Sequence, residues 1–364
     1  MIKTYTYKIK TTRALENKIE SWYNICRFVY NCAKELKEES YRKGISLSKF
    51  DIIKQLPDAK KELPWIAQVH SQTLQQVIGR LDNSFKKFYS GAGYPKWAKK
   101  DKWKSITFAQ DDRRVRLLAL RFEKDGRFNL PKLGKIKVFN RREIQGKIKL
   151  ARVVKEADGY YLKIVVEEND RHRVRENQSI CAIDMGITYF MTTSDGEFIE
   201  NPKHLFNYLK QLKVENRKLS RMKKGGSNFK KQVKVIQLLH QKISRVRKDF
   251  LHKESRKLAN NYKTVIRENL NILKMVKGSK LAKHILDCSW GTFFQMLDYK
   301  TNVIKVNPAY TSQECSKCGH ICKENRKIQS LFECINCGYT ENADLQATFN
   351  ILQRGQYLME ANVE

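Results

Sequence analysis

Four cysteines near the C-terminal end constrain the fold of this chain more than any other sequence feature. Cys315 and Cys318 form one Cys-x-x-Cys pair, Cys334 and Cys337 form a second, and fifteen residues separate the pairs. A glycine follows each pair, as in the knuckles that hold a tetrahedral zinc ion through four thiolates. We therefore predict one structural Zn²⁺ bound by these cysteines. The alternative is four unligated thiols or two disulfides.

The segment between the two pairs carries further candidate residues. Cys322 and His320 could replace a thiolate ligand, although neither has the knuckle spacing. Four basic residues are predicted either to contact nucleic acid or to form a solvated face: Lys317 within the first pair, and Lys323, Arg326 and Lys327 between the pairs.

The net charge indicates a polyanionic partner. The 364 residues include 72 Lys and Arg against 38 Asp and Glu, a balance of +34, and aromatic residues make up 10%. Basic and aromatic side chains together are typical of nucleic-acid binding, because phosphates pair with the charges and bases stack on the rings. A basic surface of the ribosomal or chaperone kind is the alternative.

The sequence predicts an intracellular protein. No stretch approaches the roughly 18 to 20 consecutive apolar residues of a membrane span, and the N-terminus lacks the apolar segment of a secretory signal. The cysteines outside the cluster follow no disulfide pattern and are predicted to be small core residues: Cys26, Cys32, Cys181 and Cys288.

The first half of the chain reads as a β-domain with a helical insertion. A strand over residues 2–9 precedes helical stripes that run from Leu15 to Leu36 and from Leu74 to Phe88. A basic loop around Trp97 and Trp103 follows, and short apolar runs separated by glycine turns then predict a meander or barrel at 105–168. Polar residues 169–179 are predicted to form a linker.

The second half alternates strands and helices. Strands are predicted at 180–184, 187–193, 264–268 and 302–306, with helices at 205–260 (broken at 223–228), from 268 to about 300, and from about 341. This order resembles an RNase H-like α/β domain, in which acids at strand ends and at the start of the last helix converge.

Three carboxylates occupy those positions: Asp184, Glu268 and Asp344. Converging carboxylates suit two Mg²⁺ ions that activate water and stabilise a leaving oxygen at phosphorus. Each acid alone has an ordinary alternative as a turn former, an ion-pair partner or a first-turn helix residue. Their joint placement in a basic chain predicts a nuclease site, since a carboxylate cluster without metal repels itself. The order Asp, Glu, Asp favours a RuvC-type nuclease over an Asp-Asp-Glu transposase.

The chain resembles the TnpB family of transposon-encoded nucleases along nearly its whole length. The motifs that carry the resemblance are RFVYNCAKE, LPKLGKIKV, ADGYYLKIVVE, AIDMGI, KLSRMKKGGSNFKK, RVRKDFLHKESRKLA, VIRENLNI, NPAYTSQECSKCGH, FECINCGY and NADLQATFNIL. One departure is Glu341-Asn342-Ala343-Asp344, where many relatives have Asp-Arg-Asp, and another is Thr348 in place of a common Ala. The departures leave all three acids in place.

The resemblance implies a multidomain α/β plus β architecture. It implies a wedge β-barrel at 1–10 and 102–175 with a helical recognition insertion at 11–101. A RuvC domain at 176–310 and 340–364 would carry the zinc ribbon at 311–339. Catalysis would use two Mg²⁺ ions bound by Asp184, Glu268 and Asp344, with Zn²⁺ bound by the four cysteines.

The resemblance also implies partners. An RNA from the right end of the transposon would guide the enzyme, as one protein per RNA, to double-stranded DNA beside a short adjacent motif. The protein would act in the cytoplasm of a bacterium or archaeon, associated with the nucleoid. Gln75 and Gln76 are candidate motif readers, because glutamine can pair with adenine in two places, and solvated helix positions are their alternative. Lys223 and Lys224, with Arg326, are candidate nucleic-acid contacts. An RNA-guided repressor that does not cut, a transposase, or a transposase accessory protein are the alternative functions.

Overall fold

The computed structural model describes residues 2–109, 120–139, 142–168 and 179–361. The chain divides into two compact units between residues 172 and 173. Each unit is described by itself. The predicted linker at 169–179 lies almost entirely outside the described residues.

The first unit contains a seven-stranded antiparallel sheet. Its strands are β1 (Ile2–Lys10), β2 (Ser105–Ala109), β3 (Arg121–Phe122), β4 (Phe128–Leu130), β5 (Gly134–Val138), β6 (Lys147–Glu156) and β7 (Gly159–Glu167). The strand order is β2-β6-β7-β1-β5-β4-β3, so the N-terminal strand lies in the middle of the sheet between β7 and β5. Closure of this sheet into a barrel stays a prediction.

The helices between β1 and β2 share one hydrophobic core with the sheet. They are α1 (Arg13–Arg42), α2 (Lys49–Lys54), α3 (Leu56–Glu62) and α4 (Ser71–Tyr89). Trp22 of α1 and Leu81 of α4 are buried together with Phe108 and Phe128 of the sheet. The Thr12 side chain caps α1 by accepting a hydrogen bond from the Leu15 N–H. The sequence did not predict α2 and α3, and Cys32 is exposed on α1 rather than buried.

The second unit is built on a five-stranded mixed sheet. Its strands are β8 (Ile180–Asp184), β9 (Tyr189–Thr193), β10 (Phe198–Glu200), β11 (Thr264–Glu268) and β12 (Asn302–Val306). The order is β10-β9-β8-β11-β12. β8, β11 and β12 are parallel neighbours, whereas β9 and β10 are antiparallel to their neighbours.

A basic helical hairpin and three short helices connect the strands of this sheet. The helices are α5 (His204–Ser220), α6 (Ser227–Asn261), α7 (Ile272–Val276), α8 (Ala282–Cys288) and α9 (Trp290–Asp298). The prediction of one helix up to about residue 300 is wrong, because Gly278 (φ 72°) and Ser289 (φ 57°) adopt left-handed backbone conformations that end helices.

The chain ends in a small hairpin and a long helix. The hairpin consists of β13 (Leu331–Glu333) and β14 (Thr340–Asn342), and α10 (Ala343–Glu360) follows at once. α10 packs on the inner strands of the five-stranded sheet, where Ile351 is buried against Ala182 and Ile266. None of the helices in the described part of the chain has the length and apolar character needed to span a membrane.

A glycine allows α10 to lie close to β11. A Cβ atom built on Gly355 would come within 2.4 to 2.8 Å of three side-chain carbons of Ile266. We therefore expect Gly355→Ala to destabilise the protein by about 1 to 3 kcal/mol through overpacking, despite the better helix propensity of alanine.

Urea unfolding measures this effect, and a second glycine in a helix provides the control. A Cβ on Gly79 of α4 meets nothing within 4 Å, so Gly79→Ala should leave stability unchanged or raise it by up to about 1 kcal/mol. Equal effects of the two substitutions would contradict the close approach of α10 to β11.

Candidate metal centres

The parallel pairing of β8 and β11 brings two of the predicted acids to one edge of the sheet. Ile183 is in register with Arg267, so Asp184 and Glu268 follow at the carboxyl ends of adjacent strands. Side chains alternate between the faces of a strand, and Ala182 and Ile266, two residues earlier, pack on the α10 side. Asp184 and Glu268 therefore point to the face that α10 covers.

The third acid lies in the first turn of α10. Asn342 caps this helix, because its side-chain oxygen accepts hydrogen bonds from the N–H groups of Asp344 (3.0 Å) and Leu345 (3.3 Å). β14 ends at the same asparagine, so the hairpin leads directly into the turn that carries Asp344. The structure thus brings the three acids close enough for their charges to interact.

The interaction between these charges changes the pKa of Asp184. Burial raises the pKa of this carboxyl group to about 7, and the charges of Glu268 and Asp344 contribute to the rise. The Met185 backbone N–H and Arg326 act in the opposite direction but do not offset it. The raised pKa indicates that the three carboxylates lack enough positive charge to offset their mutual repulsion, as expected of acids arranged to share a cation.

Glu268 is held by a buried threonine. The Thr311 hydroxyl donates a hydrogen bond to the Glu268 carboxylate (2.5 Å), and Thr311 is 3% exposed. Burial raises the pKa of Glu268, whereas Thr311 and the charge of Arg354 lower it in part. This hydrogen bond restricts Glu268 to one orientation.

Asp344 is paired with an arginine from the segment between the two cysteine pairs. The Arg326 guanidinium donates to Asp344 Oδ1 (3.0 Å) and to the Gln329 carbonyl (2.9 Å). Asn325, next to it, is fully buried and bonds to the carbonyls of Gln313 and His320. Arg326 is therefore positioned by its neighbour and supplies a positive charge at the acids.

A row of polar side chains on α10 holds the segment that leads from β12 to the first cysteine. Gln346 Nε2 donates to the Glu314 carbonyl (3.0 Å), and Asn350 Nδ2 donates to the carbonyls of Thr311 (2.8 Å) and Glu314 (2.7 Å). Arg354 donates to the carbonyls of Asn307 and Ala309 and pairs with the Glu314 carboxylate. This row fixes the segment that carries Thr311.

The four cysteines form a closed ligand set. All four Sγ atoms lie within 4.8 Å of one another, with Cys315 and Cys337 3.7 Å apart and Cys318 and Cys334 3.6 Å apart. A tetrahedral ion with zinc–sulfur bonds of about 2.3 Å requires sulfur separations of about 3.8 Å. The donor set and its spacing fit Zn²⁺.

The two knuckles have the same backbone geometry. The Cys315 N–H donates to the His320 carbonyl, the Cys334 N–H donates to the Tyr339 carbonyl, and a glycine with φ of 72° or 73° follows each pair. A hydrogen bond from the His320 backbone N–H lowers the pKa of the Cys318 thiol to about 6, which favours the thiolate that binds metal. Cys322 and His320 lie outside the closely packed set.

The carboxylates are spaced more loosely than the thiols. Among the described residues, the cysteine cluster is the one group of at least three potential ligands within 4.8 Å of one another. Three hard oxygen donors, with a raised pKa on the central one, nevertheless suit Mg²⁺, which prefers oxygen ligands and retains water.

The structure places the predicted nucleic-acid contacts at exposed positions, with one exception. Gln75 and Gln76 are exposed on α4, and Lys223 and Lys224 are exposed in the turn between α5 and α6. Lys317, Lys323 and Lys327 are exposed as well. Arg326 is the exception, because it is half-buried against Asp344.

Sequence reasoning missed the roles of Thr311, Arg326 and the polar row of α10. Thr311 lies within the motif NPAYTSQECSKCGH, and the sequence predicts Arg326 as a nucleic-acid contact or a solvated basic residue, not as a partner of Asp344. The polar row could have been recognised from the sequence, because Gln346, Asn350 and Arg354 recur every four residues and so share one helical face.

Comparisons with known proteins identify the family of the chain. A family model described as "Probable transposase" matches residues 163–278, and one described as "Cas12f1-like, TNB domain" matches residues 290–351. "Putative RNA-guided DNA endonuclease InsQ" of Escherichia coli (strain K12) is 30% identical over 98% of this chain and 93% of its own length. The chain belongs to the TnpB family. This confirms the resemblance found in the sequence.

Further relatives and structures match more distantly. A "Putative RNA-guided DNA endonuclease" of Streptomyces pristinaespiralis is 27% identical over 97% of this chain and 89% of its own length. The "Cryo-EM structure of CasPhi-2 (Cas12j) bound to crRNA" is 12% identical and covers 97% of this chain and 98% of its own, with a TM-score of 0.49. A "Helix-turn-helix domain" model matches residues 1–46, where the structure has the strand β1 and the single helix α1.

The electrostatics of the acids lead to a stability prediction. The pKa of Asp184 is raised in the folded protein, so ionisation of this carboxyl group destabilises the fold. The destabilisation grows as pH rises from about 4 towards 7 and is complete at pH 8. In Mg²⁺-free buffer at pH 8, Asp184→Asn should raise Tm by at least about 2 to 4 °C, the shift that 1 kcal/mol gives in a domain of this size.

Thermal unfolding at pH 5 and pH 8, with and without Mg²⁺, tests this expectation. The gain should be smaller at pH 5, and Mg²⁺ should stabilise the variant less than the original protein. Asp249→Asn is the control, because Asp249 is exposed on α6 and pairs only with Lys253 in the ion pairs described. A lower Tm for Asp184→Asn at pH 8 would contradict the mutual repulsion of the acids.

The thiol geometry predicts one tightly held zinc ion per chain. After dialysis against buffer that contains Mg²⁺, elemental analysis should find about one zinc ion per chain. Cys334→Ser should abolish zinc binding, because a structural site needs all four ligands. Cys322→Ser should retain the zinc, since Cys322 lies outside the cluster. Zinc absent from the unmodified protein, or retained by Cys334→Ser, would show that the cysteines have another role.

Proposed function

We propose that this protein is an RNA-guided, divalent-metal-dependent DNA endonuclease of an insertion sequence. The observation that carries the proposal is the meeting of Asp184, Glu268 and Asp344 at one sheet edge, with the pKa of Asp184 raised by the other two. The relatives named as RNA-guided DNA endonucleases, one matched over 98% of this chain, support the same activity.

The acids are the proposed ligands of two catalytic Mg²⁺ ions. Bound divalent cations would supply an activated water and stabilise the leaving 3′ oxygen in a RuvC-type hydrolysis of the phosphodiester. The chain itself contributes the fixed positions of the ligands. Thr311 orients Glu268, Asn342 sets the first turn of α10, and Arg326 holds Asp344.

Arg326 also offsets the negative charge that the acids present to DNA. The Glu341-Asn342-Ala343-Asp344 motif has no arginine of its own, and Arg326 reaches Asp344 from the cysteine-bearing segment instead. A guanidinium beside the metal ligands is placed to pair with a phosphate oxygen as the substrate arrives. We infer that zinc binding and DNA cleavage are connected through this residue.

Base pairing with a guide RNA would choose the target, as in other RNA-guided nucleases. The protein would bind the RNA and the double-stranded DNA through its excess of basic residues, which gives +34 overall. We propose that the sheet of the first unit forms the wedge and that α1 to α4 form the recognition insertion. Gln75 and Gln76, exposed on α4, remain the proposed readers of the adjacent motif, with one protein bound per RNA.

Cleavage of matched DNA is the decisive test. The protein is purified with the RNA transcribed from the end of its own element and is incubated with Mg²⁺ and DNA that carries a library of flanking sequences. We expect double-strand cuts beside one short motif. Asp184→Ala, Glu268→Gln and Asp344→Asn should each reduce the cleavage rate by at least about 100-fold, because each removes a metal ligand.

Two controls separate chemistry from binding. Asp249→Asn, on the surface of α6, should cut at the original rate. The three active-site variants should still bind the RNA and the matched DNA in gel-shift assays. Binding without cutting by the unmodified protein would instead identify an RNA-guided regulator, and equal cutting after Asp184→Ala would exclude the proposed site.

A further inference from the structure

Three aromatic side chains on the first unit are unusually exposed for their size. Tyr89 at the end of α4 is 72% exposed, and Tyr94 and Trp97 in the loop that follows are 48% and 49% exposed. The Tyr94 ring packs edge-on against Phe88, with ring centroids 5.1 Å apart. We call Tyr89, Tyr94 and Trp97 the aromatic platform.

A buried lysine and a partly buried glutamate form an ion pair in contact with the platform. Lys34 of α1 is 2% exposed, and its ammonium group lies 4.0 Å from the centroid of the Trp97 ring. The same group pairs with Glu38, which also accepts a hydrogen bond from the Tyr94 hydroxyl (2.6 Å). Burial raises the pKa of Glu38, but the hydrogen bonds from Lys34 and Tyr94 lower it below its usual value. The carboxylate thus stays charged and holds both groups.

Backbone contacts fix the loop on α1 as well. The Asn31 side chain makes two hydrogen bonds to Ala98, donating to its carbonyl (3.2 Å) and accepting from its N–H (2.9 Å). At the end of the loop Trp103 is buried, with its ring against Tyr30 and the Arg80 guanidinium over it. The platform is therefore held in place before any ligand binds, which reduces the entropy cost of binding.

The surroundings of the platform are strongly basic. Residues 86–104 contain one acidic residue, Asp101, and seven lysines, all seven of them exposed: Lys86, Lys87, Lys96, Lys99, Lys100, Lys102 and Lys104. Exposed aromatic rings among lysines are the combination by which proteins bind single-stranded nucleic acid, with bases on the rings and phosphates on the charges. Trp103, in contrast, is buried in the core of the unit.

We propose that the aromatic platform stacks an unpaired base of the guide RNA, with the neighbouring lysines on its phosphates. This rests on the proposed function, which supplies the RNA. The RNA is favoured over the target because stacking needs an unpaired base. Folded RNA offers such bases in loops and bulges, whereas duplex DNA offers none until it is opened.

The test compares Trp97→Leu with Trp97→Phe in binding to the copurified RNA, without DNA. Trp97→Leu should weaken RNA binding by about 5- to 150-fold, the range for one lost base stack, and Trp97→Phe should keep most of the affinity. Trp65→Leu is the matched control, because Trp65 is also partly exposed (39%) in the same unit but its ring packs at an angle against Phe28. Circular dichroism checks that each variant is folded.

The salt dependence of binding separates stacking from charge. Trp97→Leu should leave the slope of log affinity against log salt unchanged, since it removes no phosphate contact. Lys99→Gln combined with Lys100→Gln should reduce that slope by about one to two, because two phosphate contacts are lost. A changed slope for Trp97→Leu would show that the ring only supports the lysines, and would overturn the proposal.

The remaining outcomes distinguish this proposal from the proposed function. Unchanged RNA affinity of Trp97→Leu, in a protein that still cuts matched DNA, would overturn the platform alone. Unchanged RNA affinity with weaker binding of the loaded complex to matched DNA would assign the platform to the DNA instead. If the unmodified protein bound no RNA, both proposals would be wrong.

Discussion

The contact of α10 with the five-stranded sheet is the interaction on which the second unit depends. Gly355 lets the helix approach Ile266 of β11, and the same face of the sheet carries Asp184 and Glu268 at its edge. The position of α10 therefore decides whether Asp344, in its first turn, reaches the other two acids. A shift of the helix by one residue would move Asp344 by about 1.5 Å along the axis and 100° around it, which would separate the acids.

The polar row of α10 extends this contact to the zinc ribbon. Gln346 and Asn350 are buried, and they bond to backbone carbonyls that would otherwise lack partners in an irregular segment. Each of these hydrogen bonds adds only about 1 kcal/mol net to the stability of the fold, but a buried polar group left without a partner would lower the stability by more. One helix thus positions both the third acid and the threonine that orients the second. The cysteine cluster acts on the same site from the other side through Asn325 and Arg326.

Much of the second unit could be predicted from the sequence, and the exceptions have physical reasons. The strands that end in Asp184 and Glu268 carry continuous apolar runs, and the cysteine spacing is specific, so both were predicted before the structure. Arg326 was not, because its pairing with Asp344 joins residues eighteen positions apart through a loop without periodicity. The break between α8 and α9 was missed because Ser289 adopts a left-handed conformation that serine shows no general tendency to take.

In the first unit, β1 pairs with strands more than 120 residues later in the chain. Alternation of apolar residues allows this pairing but does not specify it.

The charge distribution bears differently on DNA cleavage and on the recognition of a target sequence. In the proposed site, three carboxylates at one sheet edge would repel the phosphates of DNA, so bound cations and Arg326 would have to reverse the local sign. The balance of +34 over the chain attracts any nucleic acid without regard to sequence. An aromatic platform is equally tolerant, because every base has a face that can stack. Neither the acids nor these basic and aromatic surfaces can distinguish one long target from another, and a protein of this composition must therefore obtain most of its specificity from a bound strand that pairs with the target.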